Sequence, residues 1–89
     1  SGGFIVAGQR DAVFERVGQA LATVEGVTIA SRAQLLGSYD VAYQGEDFLV
    51  RTVAVDAGIY VSAVDPRGMS ATGAGAVALL GKLQAQLAP

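Results

Sequence analysis

A strand, a turn and a long amphipathic helix in the last third of the sequence most constrain what this chain can fold into. Residues 59–64 have the composition of a strand, residues 65–68 (Asp-Pro-Arg-Gly) predict a turn, and the helix that follows ends near Leu87. Positions three and four apart along this helix form one apolar stripe, which predicts a face buried against the rest of the domain. The stripe consists of Gly73, Ala76, Val77, Leu80, Leu83 and Leu87.

The residues before this segment predict a strand, a first helix and a meander of strands. Residues 4–7 form a short run of apolar, β-forming residues that is stopped by Gly8. An apolar face at helical spacing predicts the first helix, with Gly26 as its C-cap. That face consists of Val13, Phe14, Val17, Ala20, Leu21 and Val24. Further strands are predicted at residues 27–30, 39–43, 48–55 and 59–64.

Two stretches do not follow a simple period. Residues 31–38 lack a pattern, and we interpret them as a connecting loop with room for one helical turn. In the strand at residues 48–55, the apolar residues change parity between Val50 and Val53. This change predicts a bulge near Arg51 or Thr52, or a strand that is buried on both sides.

These elements predict one α+β domain over residues 1–89. The fold class is α+β, with an antiparallel sheet of about four to five strands and two helices packed on one face, in the order β-α-β-β-β-β-α. Residues 1–3 (Ser-Gly-Gly) have the composition of a tag remnant, which raises the expectation that the chain is a fragment of a longer protein.

The composition argues against several classes of function. The chain contains neither Cys nor His, which excludes disulfides and thiolate metal sites and removes the commonest general base. Its formal net charge is -2, and its 6 basic residues are scattered singly, so a nucleic-acid partner is not expected. No run of about 18 apolar residues occurs that could span a membrane. We therefore expect no catalysis, no metal and no cofactor.

Two local patterns resemble ligand sites but do not support one. Residues 73–78 (Gly-Ala-Gly-Ala-Val-Ala) imitate a dinucleotide-binding motif, but several residues separate them from the preceding strand and no later strand completes the βαβ unit. We interpret Gly73 instead as a site of close packing on the sheet. The carboxylates do not have the spacing of a metal-binding loop or of a hydrolytic pair. Those considered are Asp40, Glu46, Asp47, Asp56 and Asp65.

The back of the last helix is the first candidate for a partner-binding surface. It is smooth and carries a single charge, whereas a solvated helix face usually carries more. Its candidate residues are Ala71, Ala74, Gly75, Ala78, Gly81, Lys82 and Ala85. Leu35 and Leu36 form a second candidate patch. The alternatives are that alanine serves only as a good helix former and that the leucines only pack their loop.

Three segments carry a resemblance to a known family. Residues 14–21 read Phe-Glu-Arg-Val-Gly-Gln-Ala-Leu, and residues 37–43 read Gly-Ser-Tyr-Asp-Val-Ala-Tyr. Residues 61–68 read Val-Ser-Ala-Val-Asp-Pro-Arg-Gly and are followed by the leucine-rich helix. In this order the segments resemble the helix-grip domains of the BamC or NlpB type lipoprotein, an accessory subunit of the outer-membrane β-barrel assembly machine. The chain differs from that family in holding one such domain rather than two and in lacking a lipid-anchoring Cys.

The resemblance implies a non-catalytic protein-interaction domain in Gram-negative bacteria. Its partners would be protein subunits of the outer-membrane assembly complex, on the periplasmic side of the outer membrane. Contact with the membrane would come only through a lipid anchor that is absent from this chain.

The alternative is a small helix-grip domain that holds an apolar molecule between the sheet and the C-terminal helix. That function requires a cavity of at least about 300 Å³ beside Tyr39, Tyr43 and Leu80. An interaction domain should instead have a filled core and an exposed apolar patch.

Overall fold

The computed structural model describes residues 2–89 and shows the predicted α+β fold. Five strands form one antiparallel sheet in the order β1-β5-β4-β3-β2. The predicted element order β-α-β-β-β-β-α is confirmed. The strands are β1 (Phe4–Val6), β2 (Thr28–Ala33), β3 (Ser38–Tyr43), β4 (Glu46–Val55) and β5 (Gly58–Val64), and the helices are α1 (Arg10–Thr23) and α2 (Ala74–Leu87).

Both helices cover the same face of the sheet and enclose a single core. Alternate residues of β1, β3, β4 and β5 point into this core, because side chains of a strand alternate between its two faces. The sheet supplies Phe4, Val6, Tyr39, Val41, Tyr43, Phe48, Val50, Ile59, Val61 and Ala63, and the helices supply Val13, Phe14, Val17, Ala20, Leu21, Ala76, Leu79, Leu80, Leu83 and Leu87.

Both explanations predicted for the change of parity in this strand are wrong. There is no bulge near Arg51 or Thr52, because β4 keeps a continuous register with both of its neighbours, and the strand is not buried on both sides. Thr52 continues the inward side of β4, and its buried hydroxyl donates a hydrogen bond to the carbonyl of Gly37 over 2.9 Å. Val53 and Val55 lie on the opposite face, where they are 37% and 44% exposed. The prediction failed because it counted only apolar residues as inward-facing.

The strand β2 is longer than predicted and contains the bulge of the sheet. It extends to Ala33, through residues interpreted from the sequence as a loop. Its register with β3 shifts between Ile29 and Ser31. Because β2 is an edge strand with almost every residue exposed, it has no apolar alternation by which it could be recognised.

The buried stripe of α2 is rotated relative to the prediction. Leu79 is buried, whereas Val77 is 56% exposed and Gly73 lies before the helix as its N-cap. Successive residues of a helix are about 100° apart around its axis. Val77 therefore lies at the edge of the stripe that contains Ala76, Leu80 and Leu83, and not at its centre.

Two of the segments that carry the family resemblance contact each other in the core. The ring of Phe14 in α1 stacks on Tyr39 in β3, with ring centroids 4.4 Å apart. The Tyr39 hydroxyl donates a hydrogen bond of 2.7 Å to the carbonyl of Phe14. Gly18 lies directly over this hydroxyl, and a Cβ at Gly18 would collide with it. Tyr39 therefore requires a residue without a side chain one turn after Phe14.

Candidate interaction surface

The structure divides the candidate surface predicted on the back of α2. Ala74, Lys82 and Ala85 are exposed, as predicted. Gly75 is buried, and Ala78 is half-buried against the core. The prediction that Gly75 and Ala78 belong to an exposed surface is therefore wrong. Their burial divides the predicted face into separate pieces.

Ala71 is a further correction, because it does not belong to the helix at all. It lies before α2, where it is half-buried, and its backbone N–H donates a hydrogen bond of 2.9 Å to the carbonyl of Ala63. The neighbouring Ser70 pairs with Val64 of β5. This segment extends the edge of the sheet beyond β1 and is not part of the helix surface.

Gly75 is buried because Glu46 caps the first turn of α2. Glu46 Oε2 accepts a hydrogen bond of 2.9 Å from the N–H of Gly75, and Oε1 accepts one of 3.3 Å from the N–H of Ala76. These N–H groups have no partner inside the helix, and a carboxylate is favourable at a helix N-terminus. A Cβ at Gly73 would collide with this carboxylate, and one at Gly75 would lie 2.9 Å from the carbonyl oxygen of Tyr43.

The glycines at the start of α2 thus surround a carboxylate of the protein itself. The position that a phosphate takes in a dinucleotide-binding fold is filled here by Glu46. Glu46 directly follows the hairpin turn between β3 and β4. Gln44 and Gly45 in this turn both have positive φ, as in the two-residue hairpin turns that join neighbouring strands most tightly.

Leu35 and Leu36 lie at the tip of the hairpin between β2 and β3. They are 93% and 71% exposed. Backbone bonds from Leu36 to Ala33 and from Gly37 to Gln34 close this turn. The pair remains a candidate contact, but it is small.

A larger apolar surface, which was missed in the sequence, lies on the face of the sheet turned away from the helices. We call it the open face, because no element within residues 2–89 covers it. Its apolar side chains come from the three neighbouring strands β1, β5 and β4. Ile5, Val53 and Val55 are exposed, and Leu49, Tyr60 and Val64 are half-buried.

The register of the strands arranges the open face in rows. Ile5, Tyr60 and Val53 lie side by side across β1, β5 and β4. In the next row Arg51 lies between Ser62 and Ser38, and in the row after it Leu49 lies between Val64 and Asp40. The centre of the open face therefore alternates between an apolar row, a row with one cation, and a second apolar row.

The charges on the open face are separate from one another. Within residues 2–89 no carboxylate lies within 4.0 Å of the Arg51 guanidinium, because the ion pairs there involve Arg10, Arg32 and Arg67. Asp40 and Asp47 lie at the other end of the face and line a shallow hollow of about 140 Å³ with Leu49 and Pro66.

Within residues 2–89, the grooves that reach Tyr39, Tyr43 and Leu80 do not join into the single cavity that the alternative function requires. A cleft of about 280 Å³ reaches Leu80, a groove of about 270 Å³ reaches Tyr39, and an open groove of about 470 Å³ reaches Tyr43. Each of the three residues borders a different groove. Tyr39 itself is packed between Phe14 and the sheet, so this part of the core is filled.

The pKa values of Tyr39 and Asp65 are perturbed, and both shifts have structural causes. Burial raises the pKa of Tyr39, with a smaller opposing effect from Arg32, whose guanidinium lies 5.1 Å from the Phe14 ring centroid. A hydrogen bond from the Arg67 side chain lowers the pKa of Asp65, which also accepts the backbone N–H groups of Arg67 and Met69. Asp65 thereby fixes the turn that leads to α2.

Residues 2–89 contain no cluster of three His, Cys, Asp or Glu side chains that could hold a metal ion. Within the same residues, neither helix is long and apolar enough to cross a membrane.

The sequence was also compared with known proteins. No model of a known family matches the chain, and no characterised protein is similar enough to count as a relative. The resemblance of the three segments to the BamC or NlpB type therefore stays a prediction.

Proposed function

We propose that this chain is a non-catalytic protein-interaction domain that docks a partner protein on the open face of its sheet. The observation that carries the proposal is the uncovered apolar surface of β1, β5 and β4, opposite a core that is filled. Contiguous exposed apolar patches on soluble domains mark interaction sites. An antiparallel sheet commonly leaves one face to solvent, but that face then carries mostly polar residues. Here the central part of that face is apolar, and a partner would cover it.

The open face is a better docking surface than the two surfaces predicted from the sequence. The exposed residues of α2 are interrupted by buried Gly75 and half-buried Ala78. The hairpin tip offers only Leu35 and Leu36. The open face instead presents three exposed and three half-buried apolar side chains, held in place by the register of a five-stranded sheet.

By the resemblance of its three segments, we place this domain in a lipoprotein that assists the assembly and insertion of outer-membrane β-barrel proteins. The partner would then be a protein subunit of the assembly complex on the periplasmic side of the outer membrane. The domain would act by docking alone, with no covalent chemistry.

The proposal is tested by placing a charge on the open face. The Val53→Glu variant should remain folded, because Val53 lies outside the core. It should lose at least about 90% of its binding to the purified assembly complex in a pull-down, because a carboxylate in an apolar contact has no partner there. Ala85→Glu is the matched control, since Ala85 is exposed on α2 on the opposite side of the molecule.

Circular dichroism melting curves show whether both variants are folded. Equal recovery of the complex by the folded Val53→Glu variant and by the original chain would remove the open face as the docking site. Loss of recovery with Ala85→Glu alone would return the site to the exposed part of α2.

A further inference from the structure

We infer that the element bound on the open face is an amphipathic helix whose apolar stripe is interrupted by one carboxylate, which pairs with Arg51. This inference rests on the proposed docking function and specifies the chemistry of the partner. It is carried by the width of the apolar surface, by the spacing of its rows and by the placement of its charges.

The apolar part of the open face has the width of one helix. It covers the three strands β1, β5 and β4. The next strand, β3, presents Ser38, Asp40 and Ala42 on this side, and of these only the small Ala42 is apolar. Three neighbouring strands span about 10 Å between their outer axes. This width matches the diameter of an α-helix, about 10–12 Å, and is narrower than a second sheet of four or five strands would be.

The rows of the open face predict a spacing in the partner sequence. The row of Val53 and Tyr60, the row of Arg51 and the row of Leu49 and Val64 follow one another at intervals of two residues. Two residues of a strand span about 7 Å, which corresponds to about four to five residues of a helix. A helix lying along β4 and β5 would therefore carry an apolar residue, then an acidic residue, then another apolar residue, each about one turn apart.

The acidic residue follows from the desolvation of Arg51. A helix that covers the rows on both sides also covers the guanidinium, which has no carboxylate within 4.0 Å among residues 2–89. A covered charge without a partner is strongly unfavourable. An Asp or Glu of the partner resolves this, because the planar guanidinium can donate two parallel hydrogen bonds to one carboxylate. The hydroxyl oxygens of Ser62 and Ser38 beside Arg51 can accept hydrogen bonds from the remaining N–H groups of the guanidinium.

The carboxylates at one end of the open face predict where the partner helix carries a basic residue. Asp47 lies four residues before Arg51 on β4, or about 14 Å away along the strand. Asp40 and Asp47 border the hollow of about 140 Å³ at this end. A basic residue about nine positions from the acidic residue of the partner helix would reach this hollow. The open face thus selects a helix with opposite charges separated by about nine residues.

A selection experiment on a library of helices tests this inference directly. A displayed library of single helices, with a randomised stripe, is selected separately on the complete chain and on its Arg51→Glu and Val53→Glu variants. The original chain should enrich helices with Asp or Glu between two apolar residues. The Arg51→Glu variant should enrich Lys or Arg at that same position. A Glu→Gln change in one enriched peptide should weaken its binding about tenfold, as measured by fluorescence anisotropy.

The outcomes separate this inference from the proposed function. Helices that require Val53 but show no acidic preference would overturn the inference and leave docking on the open face intact. Helices enriched equally on the Val53→Glu variant would contradict the open face as the docking site. A stable dimer in sedimentation that dissociates with Val53→Glu would show that a second copy covers the face, and it would also overturn the inference.

Discussion

At the scale of single residues, the close approach of the Gly18 backbone to the Tyr39 hydroxyl leads to the first prediction. Gly18→Ala should destabilise the domain by about 1–3 kcal/mol, because the added methyl group collides with the buried Tyr39 hydroxyl. Gly81 is the matched control in α2, where an added Cβ meets nothing within 4 Å. Gly81→Ala should stabilise the domain by about 0.5–1 kcal/mol, since glycine is unfavourable inside a helix. Urea denaturation of both variants measures the two effects.

The double variant Gly18→Ala with Tyr39→Phe identifies the cause. Removing the hydroxyl removes the atom closest to the added methyl group, so the double variant should be more stable than the sum of the single losses predicts. Simple additivity of the two losses would contradict the steric explanation. Both residues lie in segments that carry the family resemblance. Their contact could not be predicted from the sequence, because it depends on how α1 crosses the sheet.

At the scale of secondary-structure elements, the cap that Glu46 forms on α2 makes the second prediction. Glu46→Ala should destabilise the domain by about 0.5–2 kcal/mol, because the N–H groups of Gly75 and Ala76 lose their acceptor. Glu46→Gln keeps one acceptor oxygen without the charge and should lose less. Thermal melting followed by circular dichroism is the measurement. Asp47→Ala is the control, because Asp47 is exposed and lies on the opposite side of the sheet. An equal loss in Asp47→Ala would contradict the cap.

The elements also show what the sequence could and could not predict. Strong periodicity predicted α1, α2 and the strands at the centre of the sheet. It did not reveal the full length of β2, because an exposed edge strand has no buried side to mark. It did not reveal the cap, since Glu46 is 29 residues from Gly75. In β4 the alternation was regular, but Thr52 took an inward position and two valines took outward ones.

At the scale of the whole molecule, those outward valines are the reason that the candidate surface was missed. An apolar residue on the outer side of a strand has the same sequence signal as an inner one, so the pattern fixes parity but not which side is covered. The sheet order decides this, because it places β1 beside β5 and brings Ile5, Tyr60 and Val53 together. A two-layer domain can leave the outer face of an antiparallel sheet to solvent, and in this domain the central part of that face is apolar.

Adjacent residues of β1 therefore give the sharpest test of this one-sided architecture. Phe4 is buried in the core, whereas Ile5 lies on the open face. Phe4→Ala should destabilise the domain by about 3–5 kcal/mol, because it leaves a cavity between the sheet and the helices. Ile5→Ser should change the stability by less than about 1 kcal/mol. If a partner docks on the open face as proposed, the same variant should weaken its binding, because Ile5 belongs to the row that the partner would cover. Chemical denaturation and a binding titration on both variants separate the two effects. A large loss of stability in Ile5→Ser would mean that the open face is already part of the core, and docking on it would then be ruled out.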